Sequence, residues 1–225
     1  MKLIKALIRE YSQLDHRVLL ENLAPKGKEK EPPWILMGEV GGNPAFVIGP
    51  GAKKFLESKG FRPDQIDIVF NKFHNVPISR YRKYDDAFKM SGSTYNISND
   101  TLKAMAVEES ELGNILIHPN WPKSTASGVI HMTKSAVEEL NKKRVAKGQD
   151  LIKHADLQNQ SYARSAIDHA AQYMKDVLMP LYGETPADWL PHYKTGPDSD
   201  AYLTRVTALK KFILLFDKYA IPNNF

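Results

Sequence analysis

Arg80-Tyr81-Arg82-Lys83-Tyr84 alternates cationic groups with phenol rings; Lys72, Phe73 and His74 precede it and Lys89 follows. Single-stranded nucleic acid is the ligand class this mixture suits. Cations neutralise the backbone, while aromatic faces stack bases without reading their sequence. On that reading Phe73, Tyr81 and Tyr84 are the stacking residues. The competing reading is a tyrosine-rich loop packed against the body, and the residues alone leave both open. A second cluster, Lys142-Lys143-Arg144 with Lys147, falls at the end of an expected helix, where cations also suit the helix dipole. Lys134, Lys153 and Arg164 could extend it into a stripe. A third, Gly49-Pro50-Gly51-Ala52-Lys53-Lys54, is a glycine-rich turn entering a helix. Unpaired N–H groups there could meet a phosphate. It lacks the G-x-x-x-x-G-K-[ST] spacing of a P-loop.

The charge distribution agrees with these clusters. Residues 49–90 hold nine Lys or Arg against five acids, and residues 123–153 hold seven against three. Residues 97–115 and 184–200 are each net acidic by three, in a chain of formal charge +5. Two basic stretches suggest a polyanion surface more readily than a small acidic ligand.

Other chemistries find less support. The seven histidines include no H-E-x-x-H or comparable pair, so no metal site is expected. Asp168-His169 invites a dyad, but neighbours on a helix point different ways. Ser127-Gly128 is not part of a nucleophile elbow. With no cysteine there is no disulfide, thiolate ligand or cysteine nucleophile. No catalytic residue, metal or cofactor is therefore expected. An alternative is a metal-dependent nucleic-acid enzyme using Asp64, Asp67, Asp85 and Asp86 beside the basic segment. Another is an interaction module whose basic surface meets an acidic protein.

The elements that must hold these residues are mostly helical. Residues 1–20 space Leu3, Leu7, Leu14 and Val18 as an amphipathic helix, and Pro25–Pro33 is a charged linker, so residues 1–33 read as a helix that folds back or as an arm. Trp34 to Val40 and Ala45 to Ile48 flank Gly41-Gly42-Asn43-Pro44 as a hairpin. A short helix spans Gly51 to Lys59, Ile66–Phe70 reads as a strand, and residues 71–96 read as loop-rich. Further helices are expected from Ser98 to Leu112, from Thr133 to Gly148 and from Asp156 to Leu181, the last kinked by Pro180. His118-Pro119-Asn120-Trp121-Pro122 is a loop. Thr185-Pro186 starts a short helix, and a final one begins near Ser199. The expected organisation is an arm at 1–33, lobes at 34–122 and 123–197, and a C-terminal helix at 198–225 that is a second arm or a core helix. The fold class is mainly α, two-lobed, with a small β-hairpin in the N-terminal half. No apolar run approaches the ~18 residues of a membrane span, and the N-terminus lacks a signal-peptide core. A cytoplasmic setting is expected.

Several segments carry a family resemblance. QYMKDVLMPLYGETPADWL (Gln172–Leu190), followed by ALKKFILLFDKYAIP (Ala208–Pro222), resembles the C-terminal region of bunyavirus nucleoproteins, the orthobunyavirus group in particular. AFVIGPGAKKFLESKG (Ala45–Gly60) and IDIVFNKFHN (Ile66–Asn75) are similar in order to that family's earlier segments, and residues 91–106 fall where it has a core helix. The family's Phe-Pro-Gly-type turn is missing after Asn75, and the N-terminal helix with its charged linker is a departure. The resemblance implies a non-enzymatic RNA-binding protein that encapsidates a viral genome, gripping single-stranded RNA in a basic groove between lobes. It implies homo-oligomers built by exchanging a terminal arm, the viral polymerase as a further partner, and residence in the virion and host cytoplasm. The RNA-contacting residues expected here are Lys53, Lys54, Lys72, Phe73, His74, Arg80, Tyr81, Arg82, Lys83, Tyr84, Lys89, Lys142, Lys143, Arg144, Lys147 and Arg164. The coat protein of a flexuous filamentous virus would share this design.

Overall fold

The computed structural model describes residues 35–40, 42–74, 76–194 and 198–219; the expected arm at 1–33 lies outside them. Ile35–Val40 (β1) and Asn43–Ile48 (β2) pair antiparallel, with Ile35 opposite Ile48 and Val40 opposite Asn43. In that register Val40 faces Asn43, and Gly42 has φ +78°, so Asn43 and Pro44 belong to β2 rather than to the turn. Val76–Pro77 (β3) pairs with the other side of β2. Everything else regular among the described residues is helical, as the composition of the later elements led one to expect.

Ala52–Ser58 (α1) leads into Pro63–Phe73 (α2). The strand expected at Ile66–Phe70 is therefore helix. Pro63 occupies the first helical position, and the Arg62 N–H donates to Gln65 Oε1 at 3.1 Å. Ile66, Val69 and Phe73 then recur at helical spacing and are all buried. The expected loop at 71–96 is likewise mostly helix, Ile78–Arg82 (α3) and Asp85–Tyr95 (α4). Tyr81, Tyr84 and Phe88 form its buried stripe. The α4 helix stops at Asn96 in the left-handed region (φ 56°), and the chain turns back so tightly that a Cβ on Gly92 would lie 2.6 Å from the Ile97 carbonyl oxygen.

Asn99–Ser110 (α5) runs through the centre, with Leu102, Ala104, Met105 and Ala106 fully buried. Lys134–Ala146 (α6) starts at Thr133, whose Oγ1 accepts the Ala136 N–H at 3.2 Å. The long helix expected over 156–181 is broken into pieces. Two 3₁₀ turns, His154–Gln158 and Gln160–Tyr162, precede Ala163–Tyr173 (α7); a π-helical turn, Met174–Leu178, then leads to Met179–Tyr182 (α8). Pro180 has no N–H to offer the Asp176 carbonyl, and the wider turn precedes it. Pro186–Tyr193 (α9) is capped as expected: Thr185 Oγ1 donates to Asp188 Oδ2 at 2.6 Å, and so does the Thr185 N–H at 3.1 Å.

Ser199–Tyr219 (α10) is the longest element among the described residues and packs on α2, α5 and α9. It buries Tyr202, Val206, Leu209, Phe212, Ile213 and Phe216. The described part of the expected C-terminal arm is thus a core helix of its own chain. One contiguous core runs from Leu56 to Phe216, and α4 packs on α7 across the expected lobe boundary at 122/123. Among the described residues no helix is long and apolar enough to cross a membrane.

Candidate nucleic-acid interface

The end of α2, the start of α3 and the end of α5 enclose a cleft of about 110 Å³. Lys72, His74 and Arg80, three of the residues expected to meet phosphate, line it beside Asn71, Glu111 and Leu112. Its size lies well below the roughly 300–1,000 Å³ of small-molecule sites. It can admit a group, not a nucleotide. One wall is conformationally strained: Glu111 and Leu112 have φ of 50° and 58°, unusual for residues with side chains. Ser110 holds this turn, its Oγ accepting the Gly113 N–H at 2.8 Å and donating to the Val129 carbonyl at 2.5 Å. Lys72 is itself engaged, with Nζ 2.9 Å from the Glu108 carbonyl and 3.1 Å from Glu108 Oε2. Glu108 also receives Arg205 Nε at 2.6 Å, so this ion triplet ties α2, α5 and α10 together.

The three expected stacking residues are corrected by their burial. Phe73, Tyr81 and Tyr84 are 3 %, 1 % and 3 % exposed and offer no face to a base. Phe73 packs 4.6 Å from the Phe212 ring centroid. Tyr81 donates its hydroxyl to Asp217 at 2.7 Å, and the Lys103 ammonium lies 3.5 Å over its ring. Burial, reinforced by the Asp217 carboxylate, pushes the Tyr81 phenol far up, so it remains a donor. Tyr84 receives a hydrogen bond from the Gln160 amide. In these helices the cations point outward and the aromatics inward.

The expected cations divide by the work they already do. Arg144 is structural: Nε donates to the Asp150 carbonyl at 2.7 Å and a terminal nitrogen reaches Gln172, closing the loop after α6 onto α7. Lys147 pairs with Asp176 at 2.8 Å, Arg82 with Asp85 at 3.4 Å, and Arg164 with Asp86 across the α4–α7 junction. Such surface pairs are worth roughly 0–1 kcal/mol, so a phosphate can replace the carboxylate at little cost. Lys53, Lys54, Lys83, Lys89, Lys142 and Lys143 lie on the surface, as does His74. Lys89 borders a shallow depression with Ser93, Asn96 and Ser98.

Three of the four carboxylates considered for metal chemistry, Asp64, Asp85 and Asp86, are held in ion pairs. Asp64 pairs with Arg62 at 2.9 Å, and Asp85 pairs with the buried Lys103 at 2.7 Å. Among the described residues no group of three or more His, Asp or Glu is placed to hold a metal ion. Asp168 and His169 diverge as helical neighbours must. Asp168 accepts from Ser91 at 3.0 Å and Tyr95 at 3.1 Å, while His169 Nε2 meets the Tyr162 hydroxyl at 2.8 Å.

Sequence reasoning passed over Trp121, treating its segment only as a helix-stopping loop. It is an exposed aromatic among basic residues, and the absence of acids around it in the sequence was a usable signal. No protein-family model matches the chain, and no curated protein or solved structure matches it either.

Proposed function

We propose that this chain is a non-enzymatic nucleoprotein that binds and encapsidates single-stranded viral RNA, self-associates on it, and resides in the virion and host cytoplasm. The observation that carries the reading is the outward display of lysines from both basic stretches, Lys53, Lys83 and Lys89 from one and Lys142 and Lys143 from the other, on a body of net charge +5. Ammonium groups at the surface keep their hydration until a polyanion displaces counterions, and that displacement drives binding without sequence preference. The segment-by-segment resemblance to bunyavirus nucleoproteins supports RNA over other polyanions and adds the viral polymerase as a further partner. Phosphate contact then supplies most of the affinity, because the stripe Phe73, Tyr81 and Tyr84 is spent on the core.

Size-exclusion chromatography of protein purified without nuclease, followed at 260 and 280 nm, tests this directly. A high-mass species rich in 260 nm absorbance, collapsing after RNase and high salt, is the expected result. A monomer with a protein-like spectrum that binds no single-stranded oligomer at low salt refutes it.

A charge-neutralising pair gives the quantitative version. Lys142→Gln with Lys143→Gln removes two exposed cations from α6 without touching its buried face, Ala136, Val137 and Leu140. Each lost phosphate contact on a single strand lowers the slope of log K against log salt by about 0.7, so the slope should fall by about 1.4 and affinity at about 0.1 M salt by roughly 25-fold. An unchanged slope would place the RNA elsewhere.

A further inference from the structure

Trp121 is 45 % exposed, whereas Trp189 is fully buried. An indole left at the surface forgoes burial that the same chain achieves completely for another. The loop carrying it is fixed by its own hydrogen bonds. The Trp121 N–H donates to the His118 carbonyl at 3.0 Å, the Asn120 N–H to His118 Nδ1 at 3.1 Å, and the Ser124 N–H to the Asn120 carbonyl at 3.1 Å. The indole lies parallel to the His154 imidazole, with 10° between planes and 6.2 Å between centroids. His154 is located in turn by the Met132 carbonyl, 3.3 Å from its Nε2. A near-parallel pair at this separation is offset and lies within the range over which aromatic rings interact, while Trp121 stays 45 % exposed.

The electrostatic setting selects the guest. Residues 115–134 contain Lys123, Lys134, His118 and His131 and no acid. The Lys134 N–H donates to Thr125 Oγ1 at 3.0 Å, which holds the start of α6 against this loop. Lys153 precedes His154; Asp150 and Asp156 are the acids flanking that segment. The other exposed aromatic stack is different. Tyr182 lies face to face with His192 at 3.6 Å, and His192 belongs to the net acidic segment that begins at Glu184.

The geometry points to the Trp121–His154 pair as a stacking platform for an unpaired nucleobase of a single strand, with Lys123, Lys134 and Lys153 around it for the flanking phosphates. This rests on the nucleic-acid reading proposed above, and it restores a base contact that the buried tyrosines cannot make. A rigid aromatic face with cations on its rim favours single strands over duplex, whose bases are already stacked.

The test uses the full-length protein and two probes of about ten nucleotides, an oligouridylate and a ribose-phosphate strand lacking bases. Tryptophan emission should be quenched by the oligouridylate and much less by the abasic strand. Trp121→Leu should abolish that quench and weaken oligouridylate binding about five- to a hundredfold, leaving abasic binding unchanged. Trp121→Phe, which keeps an aromatic face, should recover most of the affinity and guards against a folding artefact. Equal loss on both probes, or no loss on either, overturns the platform while the nucleoprotein reading survives. Failure of the native protein to bind either strand at low salt overturns both.

Discussion

Replacing Phe212 by alanine is expected to remove about 3–5 kcal/mol of stability, the largest effect of any substitution considered. Phe212 is 1 % exposed, with ring centroids 4.6 Å from Phe73 and 5.6 Å from Phe216. It sits where α10 crosses α2, and Tyr81 closes the same group, 4.9 Å from Phe216. Truncation leaves a cavity that two helices and three rings cannot easily close around. Against a typical total of about 5–15 kcal/mol, that is a substantial share. Urea unfolding followed by circular dichroism should show a lower midpoint, with the slope unchanged. The loss should not depend on protein concentration, because α10 packs within its own chain. A loss that appears only in oligomers would mean that this helix is exchanged between copies.

Acidification should destabilise the protein through His169, by about 3 kcal/mol between neutral pH and pH 4. Burial, with a further contribution from the Arg144 charge, lowers its pKa to about 4. The unfolded chain, with an ordinary histidine, binds its proton first as pH falls through about 6.5. Between about 6.5 and 4 the unfolded state therefore holds more protons, and stability declines with pH. Above that window the contribution is fully present; below it the loss is complete. The neutral imidazole is fixed by Tyr162 at Nε2, and among the described residues Nδ1 has no partner to stabilise a second proton. Unfolding free energies at pH 7, 6, 5 and 4, measured for the native protein and for His169→Gln, isolate this residue from carboxylates that titrate in the same range. The variant should show a distinctly flatter profile over the window; parallel profiles would exclude His169. His118 adds in the same direction, its pKa lowered by burial and then by the nearby His131.

The parts of the fold that were legible in the sequence are those whose signal is local. The apolar repeat from Leu203 to Phe216 marks α10, and Thr133 and Thr185-Pro186 mark helix starts through cap chemistry. The run Ile66–Phe70 was misread because five apolar-rich residues suit either period; the deciding residues, Pro63 and Gln65, lie before it. The candidate site suffered from a related ambiguity. Tyr81, Tyr84 and Phe88 are spaced three and four apart, so the interleaving of rings with cations that resembles a base-stacking surface is also the pattern of an amphipathic helix pair. Charge proved more informative than aromaticity there, since a buried lysine is costly and a buried tyrosine is not. Lys103 is the exception. It lies five residues into α5, and nothing nearby in sequence announces its partner Asp85, eighteen positions earlier. The Trp121 site depends on the folded path of an irregular loop, which no periodicity encodes.

The π-helical turn at Met174–Leu178 acts as a frameshift written in three dimensions. In an uninterrupted α-helix the inward series Ile167, Ala170, Ala171, Met174, Val177 and Leu178 would run on to Leu181. The wider turn accommodates one extra residue, so every later side chain lags by about 100°. Met179 is consequently buried, and Leu181 is 68 % exposed. The amino-acid pattern and the backbone thus fall out of step by a single position within one helix. Deleting one residue from that turn would let it close as plain α-helix with Leu181 still facing outward, so the surface beyond it is set by the register after the turn and not by the turn's width.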